Sequence, residues 1–110
     1  MNNKFNNKKT EVDGIKFDSK REAKRYSELK LLEQGHVIQD LRLQVPFELI
    51  PKVIIHGKPH RAIVYKADFV YFDNEKKQQV IEDSKGFKTD VYSLKKRLMK
   101  QVHNIEILES

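Results

Sequence analysis

Three residues stand out by type and spacing: Asp68, Asp83 and Lys85. All lie in the stretch YKADFVYFDNEKKQQVIEDSKG, residues 65–86. The stretch reads as two apolar, β-prone runs joined by a polar turn, yet it carries Asp68, Glu82, Asp83 and Lys85 inside those runs. A four-residue loop from Asn74 to Lys77 would pair Asp73 with Gln78. Pairing back along the ladder then sets Asp68 opposite Asp83, with Cβ atoms about 5 Å apart. Lys85 lies two residues past Asp83 and shares its face, while Glu82 and Ser84 turn to the other. A slip of one residue would break the arrangement. Two opposed carboxylates repel each other unless a cation sits between them. A few hard oxygen ligands with water suit Mg²⁺ or Mn²⁺. A neighbouring lysine could polarise a water or stabilise charge growing on a phosphate. The pattern fits metal-assisted phosphodiester hydrolysis; the competing reading is a set of solvated charges near the end of a hairpin.

The elements that must position these groups follow from pattern. Thr10–Phe17 contains Asp13-Gly14 between two β-prone pieces, a hairpin signal. A helix is expected over Asp18–Gly35, with Ser19 as its cap, Glu22 three residues on as a capping box requires, and Gly35 at its end. Its inward stripe is Ala23, Tyr26, Leu29 and Leu32. Glu22 is aligned with Tyr26 and Leu29, so it points toward the rest of the protein from the first turn. It therefore has two candidate roles, completing the capping box and serving a metal site. Val37–Ile50 alternates as a strand in which Pro46 marks an edge, a bulge or the strand's end. A bend or hairpin is expected around Gly57 and Pro59. A second helix spans Thr89–Asn104, with Val91, Leu94, Leu98 and Val102 as its apolar face, and residues 105–109 form a last short strand. The order predicts an α/β fold, a central mixed sheet flanked by two helices with an N-terminal hairpin. Residues 1–9 read as a disordered basic arm and 10–110 as a single domain.

Composition narrows the class. The net charge is +6 with a pI near 9.5, and 35% of residues are charged. A small basic domain suits a polyanionic partner, because phosphate contacts release counterions. No run approaches the roughly 18 apolar residues of a membrane helix, and residues 1–10 have no apolar signal core, which fits a cytoplasmic protein with no membrane partner. Cysteine is absent, so disulfides and thiolate metal sites are excluded. His56 and His60 lack the further ligands a zinc site needs. No Gly-rich phosphate loop and no nucleophile triad is present.

Taken together, DGIKFDSKREAKRYSELKLL, LQVPFEL, YKADFVY, IEDSKGFKTDVYSLKKRL and IEI resemble the PD-(D/E)xK nuclease superfamily. Within it they are most similar to a family of small phage- and prophage-encoded endonuclease-like proteins of largely unknown function, over residues 11–108. The resemblance implies a restriction-endonuclease-like core, a bacterial host cell with phage or prophage origin, and a Mg²⁺-dependent endodeoxyribonuclease. It places the family's acids on Glu22, Asp68 and Asp83, with Glu22 joining the other two as a metal ligand, and its lysine on Lys85. Ala67 stands where the wider superfamily often has proline, and Glu82 is an extra acid without an assigned role.

Further residues extend the reading toward DNA. Gln44 is polar within an apolar strand and could contact a metal-bound water or a phosphate, or sit on an edge-strand surface. Tyr92 and Lys95, one helical turn apart, could face a phosphate near the site or lie on a solvated helix face. Lys96, Arg97 and Lys100 face solvent as nonspecific phosphate contacts. Lys20, Arg21, Lys24 and Arg25 extend the basic surface beside Glu22. A domain this small has little surface for reading a long sequence, so branched or junction DNA in phage DNA processing or recombination is a natural substrate, and a junction resolvase needs two sites and hence a homodimer. The alternatives are a non-catalytic basic module that binds nucleic acid and a phage inhibitor of a host nucleic-acid enzyme.

Overall fold

The computed structural model describes residues 9–85 and 88–110; the expected N-terminal arm lies, but for Lys9, outside them. The chain begins with the expected hairpin, β1 (Thr10–Val12) and β2 (Ile15–Phe17), with Val12 opposite Ile15. Asp13 and Gly14 form the turn with φ of 53° and 77°, the left-handed pair that such hairpins need. Helix α1 (Lys20–Gln34) starts where Ser19 Oγ accepts the Glu22 backbone N–H, and its Ala23, Tyr26 and Leu29 are buried.

Four strands make the central sheet: β3 (Ile38–Ile50), β6 (Ile63–Asp73), β7 (Gln78–Asp83) and β8 (Leu108–Glu109), in the order β3-β6-β7-β8. The first two pairings are antiparallel and β7–β8 is parallel, so the sheet is mixed. Helix α2 (Asp90–His103) provides the crossover between β7 and β8. Pro46 tolerates its place inside β3 because that strand is an edge with a single partner. A separate hairpin, β4 (Val53–Ile55) and β5 (Lys58–His60), joins β3 to β6. The β6–β7 loop closes as expected, with Asp73 opposite Gln78. Asp73 Oδ1 accepts the backbone N–H groups of Glu75 and Lys76, and Lys77 takes a φ of 56° to complete the turn.

Two apolar clusters hold the layers. One joins α1 (Ala23, Tyr26, Leu29) to Phe17, Ile38, Phe69 and Tyr71. The other joins α2 (Tyr92, Met99) to Leu49, Tyr65, Ala67, Val70, Ile81 and Ile107. Tyr65 and Ala67 belong to the α2 cluster, but Phe69 and Tyr71, of the same parity on β6, belong to the α1 cluster. The change falls at Asp68, beside the Gln44 segment of β3. Gln44 has a φ of 52° in mid-strand although Leu43–Phe69 and Val45–Ala67 on either side stay paired. The left-handed φ of Gln44 thus falls on β3 directly beside the point where β6 changes face and the acids sit.

The second helix buries residues that lie off its apolar stripe. Val91, Leu94 and Val102 are exposed and Leu98 is only partly buried, whereas Tyr92 and Met99 are buried. The apolar stripe of α2 is therefore not its inward face. Tyr92 turns inward because its hydroxyl finds the Glu109 carboxylate at 2.8 Å, which satisfies the polar tip of an otherwise apolar ring.

Candidate active-site cleft

The acids gather where α1, β3, β6 and β7 meet. Glu22 is buried in the first turn of α1, Asp68 at the kink of β6, and Asp83 at the end of β7 with no exposed surface. Gln44 links the first two: its Nε2 donates to Glu22 Oε2 at 3.1 Å and to Asp68 Oδ1 at 3.2 Å. The other Asp68 oxygen accepts the Ser84 backbone N–H at 2.9 Å, and the Tyr65 hydroxyl donates to Asp83 Oδ2 at 2.6 Å. Asp83 Oδ1 is buried without a hydrogen-bond donor, although Lys85 Nζ stands 3.4 Å away as an ion-pair partner. The same ammonium lies 5.5 Å from the centre of the Tyr92 ring, a favourable cation–π position.

A cleft of about 770 Å³ opens over this cluster, with Arg21, Lys66 and Lys95 among its lining residues. The helix caps Ser19 and Thr89 also line it. Two helix N-termini thus bring their positive dipole ends to one opening, which favours an anion there.

The proton affinities reflect crowding of like charge. Burial, then the nearby Asp68 and Asp18 carboxylates, pushes the Glu22 carboxyl up to about 7. Burial also raises Asp68 to about 6, against the Ser84 N–H that favours its ionised form, with Asp83 adding repulsion. Raised carboxyls beside a lysine in a cleft are a pattern associated with functional sites. Among the described residues no group of three or more His, Asp or Glu side chains forms a ready cage for a metal ion; the Gln44 amide stands between Glu22 and Asp68.

On the opposite face of β7, Glu82 has a different task. It is fully buried and accepts Arg25 Nε at 2.5 Å, Arg25 Nη2 at 3.1 Å and the Tyr71 hydroxyl at 2.6 Å. Burial alone would raise its pKa, but hydrogen bonds from Arg25 and Tyr71 help hold it below the usual value. Glu82 thus ties α1 to β7. Because Arg25 is three residues after Glu22 on that helix, the tie also fixes where Glu22 enters the cleft.

Of the residues singled out in the sequence, Glu22, Gln44, Asp68, Asp83 and Lys85 come together. Tyr92 and Lys95 line the same cleft, with Tyr92 buried and Lys95 Nζ donating to the Val64 carbonyl at 3.0 Å. Lys96 and Lys100 are exposed on α2, each paired with an acid, Glu109 at 3.3 Å and Glu106 at 2.8 Å. Sequence reasoning missed Tyr65 as the partner of Asp83. Strict alternation sets Tyr65 and Asp68 on opposite faces, and only the kink brings both to the cleft. It also took Arg25 as surface charge. The parity that turns Glu82 away from Asp83 was the available signal for a buried partner.

Fold and cleft define a mixed α/β domain, a four-stranded sheet flanked by two helices, with an acidic cluster in a basic opening. Residues 2–108 match the family described as protein of unknown function (DUF1064), and the chain belongs to that family. No curated protein and no solved structure matches it. No helix among the described residues is long and apolar enough to cross a membrane.

Proposed function

We propose that this chain is a divalent-metal-dependent endonuclease of the PD-(D/E)xK type, with a restriction-endonuclease-like core, that hydrolyses phosphodiester bonds of DNA. The observation that carries the reading is the meeting of Glu22, Asp68, Asp83 and Lys85 from three separate elements under one cleft, with Asp83 Oδ1 buried and lacking a donor. A buried acceptor without a donor, beside carboxyls whose charges repel, fits a hard cation. Magnesium sites commonly use one or two carboxylates and leave the rest to water and substrate oxygens. Asp68 and Asp83 are the natural pair to hold Mg²⁺ or Mn²⁺, with Glu22 joining when Gln44 yields. When bound, such a cation lowers the pKa of a water and offsets charge on the phosphate.

The chain's own groups supply the rest. Lys85 offers an ammonium to the phosphoryl oxygens as charge grows on them. Arg21, Lys66 and Lys95, with the two helix N-termini, draw a phosphodiester strand into the opening. Gln44 spaces Glu22 from Asp68 with both hydrogens of its Nε2, and once it yields to the cation those hydrogens are free for a phosphate oxygen. Tyr92 shapes the wall against which Lys85 rests. Lys96 and Lys100 give sequence-independent phosphate contacts by exchanging their acid partners for DNA. The setting is phage DNA processing or recombination in the cytoplasm of a bacterial host, and a four-way junction substrate would call for a homodimer with two clefts.

The test is cleavage of supercoiled plasmid and of a four-way junction with Mg²⁺ or Mn²⁺ against EDTA. Metal-dependent strand breaks by the wild type are expected. Intact substrates at micromolar protein with either metal would overturn the reading.

A further inference from the structure

Between β3 and β6 the chain leaves the central sheet. Residues 50–61 are exposed throughout, and the β4–β5 hairpin they contain is a sheet of its own. Its turn is tight, with His56 and Gly57 at φ of 50° and 76°. A lone two-stranded hairpin is marginal in water, yet this one displays Ile54 at 70% exposure and Ile55 at 50%. Something should cover such side chains.

Charge says what. From Leu49 to Ala67 there is no Asp or Glu, while Lys52, Lys58, Arg61 and Lys66 lie in that stretch with His56 and His60. Lys52, Lys58 and Arg61 make no ion pair with any described residue. Arm-to-arm contact with a second copy would set like charges together, whereas a polyanion complements them. Ile54 pairs across the ribbon with Pro59, and both are exposed. Isoleucine and proline are among the apolar side chains that wedge against base steps in the minor groove. The root of the arm, Ile63, is five residues before Asp68 on β6, roughly 17 Å at the rise of a strand. That length matches about five base pairs, half a helical turn.

We propose that the β4–β5 hairpin is an arm, rooted about half a turn of duplex from the acid cleft, that grips the minor groove of DNA. Lys52, Lys58 and Arg61 bind phosphates, and Ile54 with Pro59 wedges against a base step and bends the duplex. The inference rests on the nuclease reading for the class of polymer. It adds that the substrate carries a double-stranded flank beside the cut.

The experiment uses the full chain and an end-labelled duplex of about 20 base pairs, near two helical turns. Fluorescence anisotropy gives affinity against salt, energy transfer between the labelled ends gives bending, and circular dichroism monitors the fold. Lys58→Glu with Arg61→Glu should make the slope of log K against log salt shallower by about two units, with at least a tenfold loss of duplex affinity and little change for a single strand. Ile54→Ser should keep the slope and lose the bend. Wild-type slope and bend in these variants, with the wild type still binding and cutting DNA, would overturn the arm and leave the nuclease reading standing. No DNA binding by the wild type would overturn both. A dimer that Ile54→Ser splits in sedimentation, at unchanged DNA affinity, would make the hairpin a self-association surface and overturn the arm as well.

Discussion

Replacing Glu22 with glutamine should stabilise the protein above neutral pH, although the residue belongs to the proposed catalytic cleft. The glutamine oxygen can still accept from Gln44 Nε2, so the change removes charge while keeping shape and a hydrogen bond. Glu22 binds its proton more tightly folded than unfolded, since its carboxyl is raised from 4.5 to about 7. Its contribution to folding is therefore fully present below about pH 4.5 and is lost as the pH rises through 7. Each tenfold change in proton affinity is worth about 1.36 kcal/mol, so the penalty above pH 7 is roughly 3 kcal/mol. Water in the open cleft screens it, so ~2 kcal/mol is the expected gain for Glu22→Gln. Urea denaturation followed by circular dichroism at pH 4.5, 6 and 8 reads it directly. With an m-value of about 1–3 kcal/mol/M, the midpoint should rise by roughly 1 M at pH 8 and stay put at pH 4.5. Mg²⁺ should stabilise the wild type more than the variant, because ion and substitution relieve the same repulsion. A gain equal at pH 4.5 and 8, or a loss at pH 8, would refute the argument.

Arg25→Met should destabilise the fold by about 3 kcal/mol, since it leaves the buried Glu82 charge without its guanidinium partner. Adding Glu82→Gln should recover much of that loss in thermal melts, and an additive double variant would show that the two side chains do not act as a pair. Lys85→Ala should keep DNA affinity in Mg²⁺ and lower the single-turnover cleavage rate by roughly a hundredfold or more; an equal loss of binding and rate would make Lys85 a phosphate anchor instead.

Much of this architecture is written in local chemistry. The Asp13-Gly14 turn, the Ser19 cap, the edge position of Pro46 and the pairing of Asp73 with Gln78 each follow from a few neighbouring residues and their allowed dihedrals. The convergence of Asp68, Asp83 and Lys85 follows from that last register. What was not legible depends on contacts distant in sequence. Periodicity marks Val91, Leu94, Leu98 and Val102 as one face of α2 but does not say what the face meets. Tyr92 is drawn inward by Glu109, a partner that β8 supplies only once the parallel pairing forms. The link from Tyr65 to Asp83 is hidden because it needs the change of face within β6 between Ala67 and Phe69, which nothing local in the sequence announces.

The left-handed Gln44 bears on the protein's solubility as well. Strand β3 is 13 residues long and, among the described strands, pairs with β6 alone; side chains meet a few of its backbone groups, Glu33 the Leu41 N–H and His103 the Glu48 carbonyl, and the rest of its other edge is open to a passing chain. A long, flat edge of this kind is a template for aggregation. Here Asp40 and Gln44 turn left-handed, Pro46 removes a donor, and Arg42 and Glu48 put charge along the strand. The strand thus has no long regular run between Asp40 and Pro46. The left-handed residue whose side chain joins Glu22 to Asp68 also spoils this edge as a docking rail for a foreign strand. Relaxing Gln44 into a regular β conformation would therefore break the link between Glu22 and Asp68 and open the edge to fibril growth in a single step.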